Sequence, residues 1–282
     1  MKLYPINTGH FKLDGGAMFG VVPKVLWQRA NPADENNLCT WAMRSLLVED
    51  GDMLMLIDTG IGDKQSEKFL SYYYLHGEDS LDLSLARYGF GKEDITDVFL
   101  THLHLDHCGG CIAYDPSREH LIPAFPNATF WSNEAHWNWA LDPNPREGAS
   151  FLKENILPMQ ECGQLKFLAE GESIHPDIDV LLVHGHTEAQ MLPRIKIDGV
   201  TVVFMADLIP STAHIPLPYV MGYDVRPLLT IEEKATFLRQ AVDRDYYLFL
   251  QHDPVNEICT VEDTAKGVRL KEVLRFTEVF EG

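Results

Sequence analysis

The sequence lacks a long hydrophobic run. Nowhere in its 282 residues do about 18 consecutive apolar residues occur, which is roughly the length that a membrane-spanning helix needs. The first residues, Met1 to Pro5, carry neither the apolar stretch nor the small-residue cleavage site of a secretory signal. These two absences predict a cytoplasmic protein that makes no contact with a membrane.

Basic residues are scarce. Lysine and arginine together number 23 against 42 aspartates and glutamates, and the net charge is -19. A field of that sign repels phosphate backbones and anionic membrane surfaces. We therefore expect no nucleic-acid partner. The expected partner is a small-molecule substrate, and the expected assembly is a monomer or a homodimer.

Cysteines are few and scattered, and their odd number does not suggest a disulfide framework. Cys108 and Cys111 form a C-x-x-C pair, but no second pair completes a structural zinc site. We expect these two thiols to be buried and inert. The five cysteines are Cys39, Cys108, Cys111, Cys162 and Cys259.

Three common catalytic or phosphate-binding signatures are also missing. The sequence contains no G-x-S-x-G nucleophile elbow, no G-x-x-x-x-G-K-[ST] phosphate loop and no G-x-G-x-x-G dinucleotide loop. Metal-free covalent catalysis therefore has no support in the sequence.

Short strand-like runs followed by a helical pattern occur in both halves of the chain. In the first half, residues 42–49 and 53–58 flank Asp50-Gly51-Asp52, a strong hairpin signal. The other predicted elements are helices over 63–75, 80–88 and 231–244 and strands over 97–101, 180–183, 191–197, 200–205 and 246–250. With no low-complexity linker between the halves, this order predicts one α/β domain over 1–282, an αββα sandwich of two mixed sheets flanked by helices.

The densest group of metal-binding residue types directly follows the predicted strand over 97–101. The segment reads Thr-His-Leu-His-Leu-Asp-His from position 101 to 107. In extended backbone alternate side chains share a face, so His102 and His104 can point at one metal. Asp106 and His107 lie past the turn and face a neighbouring point. Since imidazole and carboxylate are favoured zinc ligands, the segment predicts a metal centre.

The H-x-H-x-D-H pattern after a strand resembles the signature of the metallo-β-lactamase superfamily. The resemblance extends to other segments that occur in the family's order. They are Leu56-Ile57-Asp58-Thr59-Gly60, His184-Gly185-His186-Thr187, Ala206-Asp207 and Gln251-His252-Asp253. The resemblance implies the metallo-β-lactamase fold and two divalent metal ions, with zinc expected.

The resemblance also implies which residues bind each metal. Asp207 would bridge the two ions, and Asp58 would orient a ligand imidazole or its loop. The implied ligands are His102, His104 and His186 for the first metal and Asp106, His107 and His252 for the second. His184 is the rival of His186 for its role, but the G-H-T pattern favours His186.

Two metals suggest how water could attack a carbonyl at neutral pH. Water on zinc has a pKa near about 7, and a second ion about 3.5 to 4 Å away can stabilise the developing oxyanion. A hydroxide bridging the metals is the expected nucleophile. We expect Asp106 to orient it and to pass its proton to the leaving alkoxide.

The substrate-binding residues are less well marked. Acyl-homoserine-lactone hydrolases commonly carry a tyrosine shortly after the bridging aspartate, and this sequence has none there. His214 is the best substitute as a catalytic donor to the substrate carbonyl, although it could equally be a structural hydrogen bonder. Tyr219 and Tyr223 are further candidates. Met18 and Phe19 form a glycine-flanked apolar tip that would either line an acyl pocket or pack on the core.

The predicted function is metal-dependent hydrolysis of a lactone or a similar carboxylic ester. An N-acyl-homoserine lactone is the leading substrate, which would make the protein a quorum-quenching enzyme. The alternatives are a phosphotriesterase-like hydrolase, a glyoxalase-II-like thioesterase, a mononuclear iron sulfur-dioxygenase and a non-catalytic binding protein. The bridging position of Asp207 argues against a β-lactamase, and His107 together with Asp207 counts against the mononuclear dioxygenase.

Overall fold

The computed structural model describes residues 1–280. The chain divides into two compact units, one formed by Met1–Gly9 with Met43–Glu172 and the other by His10–Ala42 with Ser173–Gly282. Within the described residues, no helix is long and apolar enough to cross a membrane. The expectation of a single domain stays a prediction.

Strands outnumber helices along the chain. The strands are β1 (Lys2–Asp14), β2 (Leu38–Asp50), β3 (Met53–Ile57), β4 (Asp97–Phe99), β5 (Ile112–Tyr114), β6 (Leu121–Pro123), β7 (Thr129–Ser132), β8 (Leu165–Phe167), β9 (Ile178–Val183), β10 (Gln190–Ile197), β11 (Val200–Phe204), β12 (Tyr247–Phe249), β13 (Ile258–Thr264) and β14 (Gly267–Leu274). The α-helices are α1 (Gly15–Phe19), α2 (Lys24–Trp27), α3 (Glu67–Ser71), α4 (Leu81–Arg87), α5 (Leu105–Cys108), α6 (Glu134–Leu141), α7 (Lys153–Glu161), α8 (Pro227–Asp243) and α9 (Phe276–Phe280).

The strands form two six-stranded mixed sheets and one small hairpin. The first sheet has the order β1-β2-β3-β4-β7-β8, and its neighbours from β3 onward run parallel. The second has the order β14-β13-β12-β11-β10-β9, in which only β11 and β12 are parallel neighbours. The α/β class with two mixed sheets is confirmed.

Turn chemistry explains the predicted hairpin. Strands β2 and β3 pair antiparallel with Asp50 opposite Met53, so the connection consists of two residues. Gly51 has a φ of 58°, a conformation that glycine adopts without steric cost. The hairpin prediction is therefore confirmed.

The helix predicted over 63–75 is shorter than the pattern suggested. Helix α3 begins only after Ser66, whose side-chain oxygen accepts from the Phe69 amide at 3.2 Å. Upstream, buried Lys64 turns away and donates to the Gly109 carbonyl. Downstream, Tyr74 has a φ of 47°, which helical backbone does not allow. The Ser66 cap, the Lys64 contact and the turn at Tyr74 therefore shorten the helix that the apolar spacing predicts.

In each unit residues of the candidate metal site follow the carboxyl ends of adjacent parallel strands. In the first unit β3 leads into Asp58 and β4 into His102, and the Asp58 amide donates to the Phe99 carbonyl at 2.9 Å. In the second unit β11 leads into Asp207 and β12 into His252. Parallel strands end at the same edge of a sheet, so each pair brings its polar loops together.

Candidate metal centre

In the first unit His102 and His104 present facing nitrogens. His102 Nε2 lies 3.0 Å from His104 Nδ1, and both side chains are buried. On its other side, His102 Nδ1 lies 3.1 Å from the Thr101 hydroxyl oxygen. That hydroxyl donates to Asp58 at 2.7 Å, so its oxygen accepts from His102 Nδ1. The network therefore assigns the proton to Nδ1 and leaves the Nε2 lone pair available.

His104 lies beside a buried carboxylate on its far side. Its Nε2 lies 3.4 Å from Oε2 of Glu147, which in turn accepts from Trp139 and Asn144. A proton on His104 Nε2 would point toward this carboxylate, and the lone pair would then lie on Nδ1. Two lone pairs at 3.0 Å repel one another unless a proton or a cation lies between them, so the pair fits a shared metal ion.

His107 shows the same arrangement with Asp58. Its Nδ1 lies 2.9 Å from Asp58 Oδ2, and its Nε2 lies 3.6 Å from Asp106 Oδ2. Asp58 is fully buried and also accepts from the Thr101 amide at 2.8 Å. Asp58 thus contacts Thr101 and His107, and through Thr101 it also fixes the orientation of His102.

In the second unit Asp207 has an imidazole at each carboxylate oxygen. His186 Nε2 lies 2.9 Å from Oδ2, and His252 Nε2 lies 3.0 Å from Oδ1. The opposite nitrogens donate to protein acceptors, from His186 Nδ1 to Asp224 at 2.9 Å and from His252 Nδ1 to the Ala42 carbonyl at 2.7 Å. A carboxylate flanked in this way has the form of a bridging ligand.

The charge around His186 favours a cation. Burial lowers the pKa of this imidazole, but the carboxylates of Asp207 and Asp224 outweigh that effect and raise the pKa to about 10. Such a shift means that the surroundings stabilise positive charge at this point. A divalent metal ion would supply that charge.

The donor residues therefore fit divalent metal ions in each unit considered by itself. Every candidate ligand histidine has one ring nitrogen beside a protein oxygen and the other beside a second candidate ligand, as metal-binding imidazoles commonly do. His184 differs, because its ring is 41% exposed and its Nδ1 pairs with Glu188 at 2.9 Å. The geometry thus favours His186 over His184, in agreement with the sequence pattern.

His214 occupies an interior position instead of an open one. It is 1% exposed, its Nδ1 lies 2.8 Å from the Ser211 hydroxyl and its Nε2 lies 2.9 Å from the Met18 carbonyl. Both nitrogens are thus engaged within the protein. The geometry favours the structural alternative and corrects the expectation that His214 is a catalytic donor.

Met18 and Phe19 are likewise packed inside the second unit. Met18 is 2% exposed and Phe19 is completely buried, with its ring stacked on His214 at 4.5 Å and on Trp27 at 5.2 Å. They form part of helix α1, capped by Asp14. This packing corrects the expectation of an acyl-pocket tip, because neither side chain offers surface to a ligand.

Tyr219 and Tyr223 remain accessible. Tyr219 is half-buried with its ring edge-on to Phe19 at 6.3 Å, and Tyr223 is 40% exposed. Substrate contact by these two tyrosines stays a prediction.

Burial of His214 makes stability sensitive to acid. Desolvation lowers the pKa of the folded imidazole to about 3, from 6.5 in the unfolded chain. Below pH 6.5 the unfolded chain binds a proton that the folded chain does not, so stability is complete above 6.5 and falls as the pH drops toward 3. The loss reaches about 1.4 kcal/mol by pH 5.5.

His214→Phe removes this titration while keeping an aromatic ring against Phe19. We expect a smaller fall in the free energy of unfolding between pH 7.5 and 5.5 than in the parent, measured by urea denaturation of both metal-free proteins. An equal fall in the two proteins would contradict the assignment.

Several supporting residues carry no signal in the sequence. Glu147 and Asp224 lie beside candidate ligand histidines that are far from them in the sequence. His136 accepts from the Leu103 amide at 2.8 Å and so supports the ligand loop. Their convergence on the candidate ligands joins segments that are far apart in the sequence, which residue spacing does not reveal.

The C-x-x-C thiols are buried as expected. Burial raises the pKa of Cys111 to about 12 and that of Cys108 well above its ordinary value. Both therefore stay protonated and inert at neutral pH. All five cysteines are free, although Cys162 is exposed.

Comparison with known proteins decides the family. The family model of the metallo-beta-lactamase superfamily matches residues 44–252, about three quarters of the chain. The chain belongs to the metallo-beta-lactamase superfamily. This confirms the fold expected from the motif, and the matched range contains all the candidate ligands.

The relatives of this superfamily member include named lactonases. An N-acyl homoserine lactonase of Bacillus cereus is 26% identical over 196 residues, and one of Bacillus thuringiensis is 25% identical over the same length. Each match covers 66% of this chain and 66% of the relative, just under two thirds of the length of the curated relatives.

Solved structures show the same fold. A probable metal-dependent hydrolase from Staphylococcus aureus is 28% identical, with a TM-score of 0.86 over 97% of this chain and 98% of that one. The dizinc quorum-quenching lactonase AidC is 21% identical, with a TM-score of 0.78 over 97% and 95% of the two chains. The relatives and structural neighbours of this chain are thus metal-dependent hydrolases.

Proposed function

We propose that the two donor sets together hold two divalent metal ions, with zinc as the metal. Asp207 is the shared ligand, supported by the imidazole that lies at each of its oxygens. The proposed ligands are His102, His104 and His186 at one ion and Asp106, His107 and His252 at the other. The donor chemistry of each unit and the family membership support this assignment.

We propose further that the chain hydrolyses a lactone, with an N-acyl-homoserine lactone as the leading substrate. The observation that carries the proposal is the aspartate with an imidazole at each oxygen, which suits a dinuclear hydrolytic centre. The named lactonases among the relatives support the choice of substrate.

Bound divalent ions would lower the pKa of water and polarise a carbonyl oxygen. The chain's own residues then orient the reactants and move the proton. The Asp106 carboxylate is 17% exposed, whereas its neighbour His107 is fully buried. Asp106 is therefore positioned to take the proton of the attacking water. It gives that proton to the ring oxygen as the acyl carbon–oxygen bond breaks, which yields the hydroxy acid.

A panel of substrates on the zinc-loaded protein tests the function. We expect kcat/KM to be highest for acyl-homoserine lactones and lower for thioesters, phosphotriesters and β-lactams. Asp106→Asn, which removes the proton acceptor while keeping a similar shape, should lower lactone turnover by about 100-fold or more.

Two results would contradict either the proposed substrate class or the proposed role of Asp106. Phosphotriester turnover above that of every lactone would move the protein to the phosphotriesterase-like class. Unchanged lactone turnover in Asp106→Asn would remove the proton-transfer role of that residue.

A further inference from the structure

Asp224 contacts a ligand histidine from a segment outside the family's motifs. It is 1% exposed, and its Oδ1 accepts from His186 Nδ1 at 2.9 Å. Its other oxygen accepts from the Met221 amide at 3.2 Å. The carboxylate is therefore buried, and both of its oxygens are held in place.

Backbone hydrogen bonds also hold Asp224 beside His186. The Val225 amide donates to the His186 carbonyl at 3.1 Å, and the Arg226 amide donates to the Gly185 carbonyl at 2.8 Å. These bonds tie the residues after Asp224 to the segment that carries His186. Asp224 thus has little freedom to leave the imidazole.

We propose that Asp224 is a positioning residue for metal binding. It keeps the proton of His186 on Nδ1, directs the Nε2 lone pair toward the metal and adds negative charge behind the ligand. The inference rests on the proposed role of His186 as a metal ligand. Nothing in the G-H-T pattern points to Asp224, because the residue lies far along the chain.

The competing explanation is that Asp224 stabilises the charge of Lys234. This buried lysine donates to the carbonyls of His214, Pro216 and Tyr219, and the charge of Asp224 acts on it. Asp224 could therefore act on the loop and not on the metal. Lys234→Met separates the two, because it removes the ammonium and leaves the contact between Asp224 and His186 in place.

Glu233 offers a matched control. Its carboxylate accepts from the amides of His184 and Gly185 at 2.7 and 2.9 Å, so it supports the same segment without touching the His186 ring. Glu233→Gln keeps the shape of the side chain and removes its charge. A purely structural role for the segment's carboxylates predicts the same result for Glu233→Gln as for Asp224→Asn.

The experiment measures zinc affinity by competition with a chromophoric chelator, and the tautomer of His186 by ¹⁵N chemical shifts in the zinc-loaded protein, because without metal the raised pKa of His186 keeps both ring nitrogens protonated at neutral pH. Asp224→Ala should weaken the affinity by about 10 to 100-fold and lose the Nδ1–H preference. Asp224→Asn, which can still accept from Nδ1, should keep the tautomer and lose less affinity. Glu233→Gln and Lys234→Met should retain the parent's affinity and tautomer.

The inference is overturned if Asp224→Ala and Asp224→Asn bind zinc as tightly as the parent, or if either control loses as much. Should Asp224→Ala fail to fold, the zinc affinity of Asp224→Asn decides the question, because removal of the charge should still weaken binding. A parent protein that binds no zinc would instead reject the proposed function itself. Tight zinc binding without lactone turnover would leave the role of Asp224 standing and reject only the substrate.

Discussion

Asp207→Ala is expected to lose metal and turnover together. The substitution removes the carboxylate that has His186 and His252 at its two oxygens, at 2.9 and 3.0 Å. Two cations would then share one negative charge fewer, and both imidazoles would lose a neighbour. Metal analysis after dialysis and lactone kinetics on the same sample would measure the effect.

Asp58→Ala provides the comparison for that loss. Asp58 orients His107 at 2.9 Å but is not itself a proposed ligand. Loss of such a supporting carboxylate costs about 10 to 100-fold in metal affinity or activity, and Asp207→Ala should cost more. An Asp207→Ala protein that keeps both metals and near-parental turnover would show that Asp207 does not bridge.

Removal of metal is expected to reduce lactone hydrolysis to the background rate. Free water has a pKa of about 15.7, and a metal ion lowers it to about 7. The described residues carry no serine nucleophile elbow or other substitute for that activation. Dialysis against a chelator should abolish turnover, and added zinc should restore it.

The control for this experiment is the folded state. Circular dichroism should show the same secondary structure before and after chelation, so that loss of turnover reports loss of metal. Undiminished turnover in a folded, verified metal-free sample would contradict a metal-dependent mechanism.

The ligand loop could be predicted because its signal is local. His102, His104, Asp106 and His107 lie within six positions after an apolar strand, so chain geometry alone brings them together. The remaining proposed ligands could be placed only through resemblance to a family. Their positions after β9, β11 and β12 follow from strand pairing, which spacing in the sequence does not reveal.

The fold was predictable where periodicity and turn chemistry agree. Helix α4 has Ser80 as its cap, and α8 follows the apolar spacing, so both predictions are confirmed. Helices α6 and α7 were not predicted. Helix α6 carries two tryptophans and a histidine among eight residues, and α7 contains Pro158, so neither presents a clear amphipathic pattern.

The positions of the remaining candidate site residues could not be predicted, because the sequence does not show which way a side chain points. His214 and Phe19 have chemistry that suits a substrate pocket, but each is turned inward, where the two rings stack at 4.5 Å. Sequence reveals residue type and local spacing. It does not reveal which neighbour from a distant segment satisfies a given nitrogen, as the Met18 carbonyl does for His214.

Titration of the metal-free protein with zinc, with lactone turnover followed at each addition, tests the central claim most directly. The proposed dinuclear centre predicts that bound metal saturates at two ions per chain and that turnover reaches its maximum only near that ratio. Full turnover at one bound ion per chain, with no further gain from a second, would contradict it.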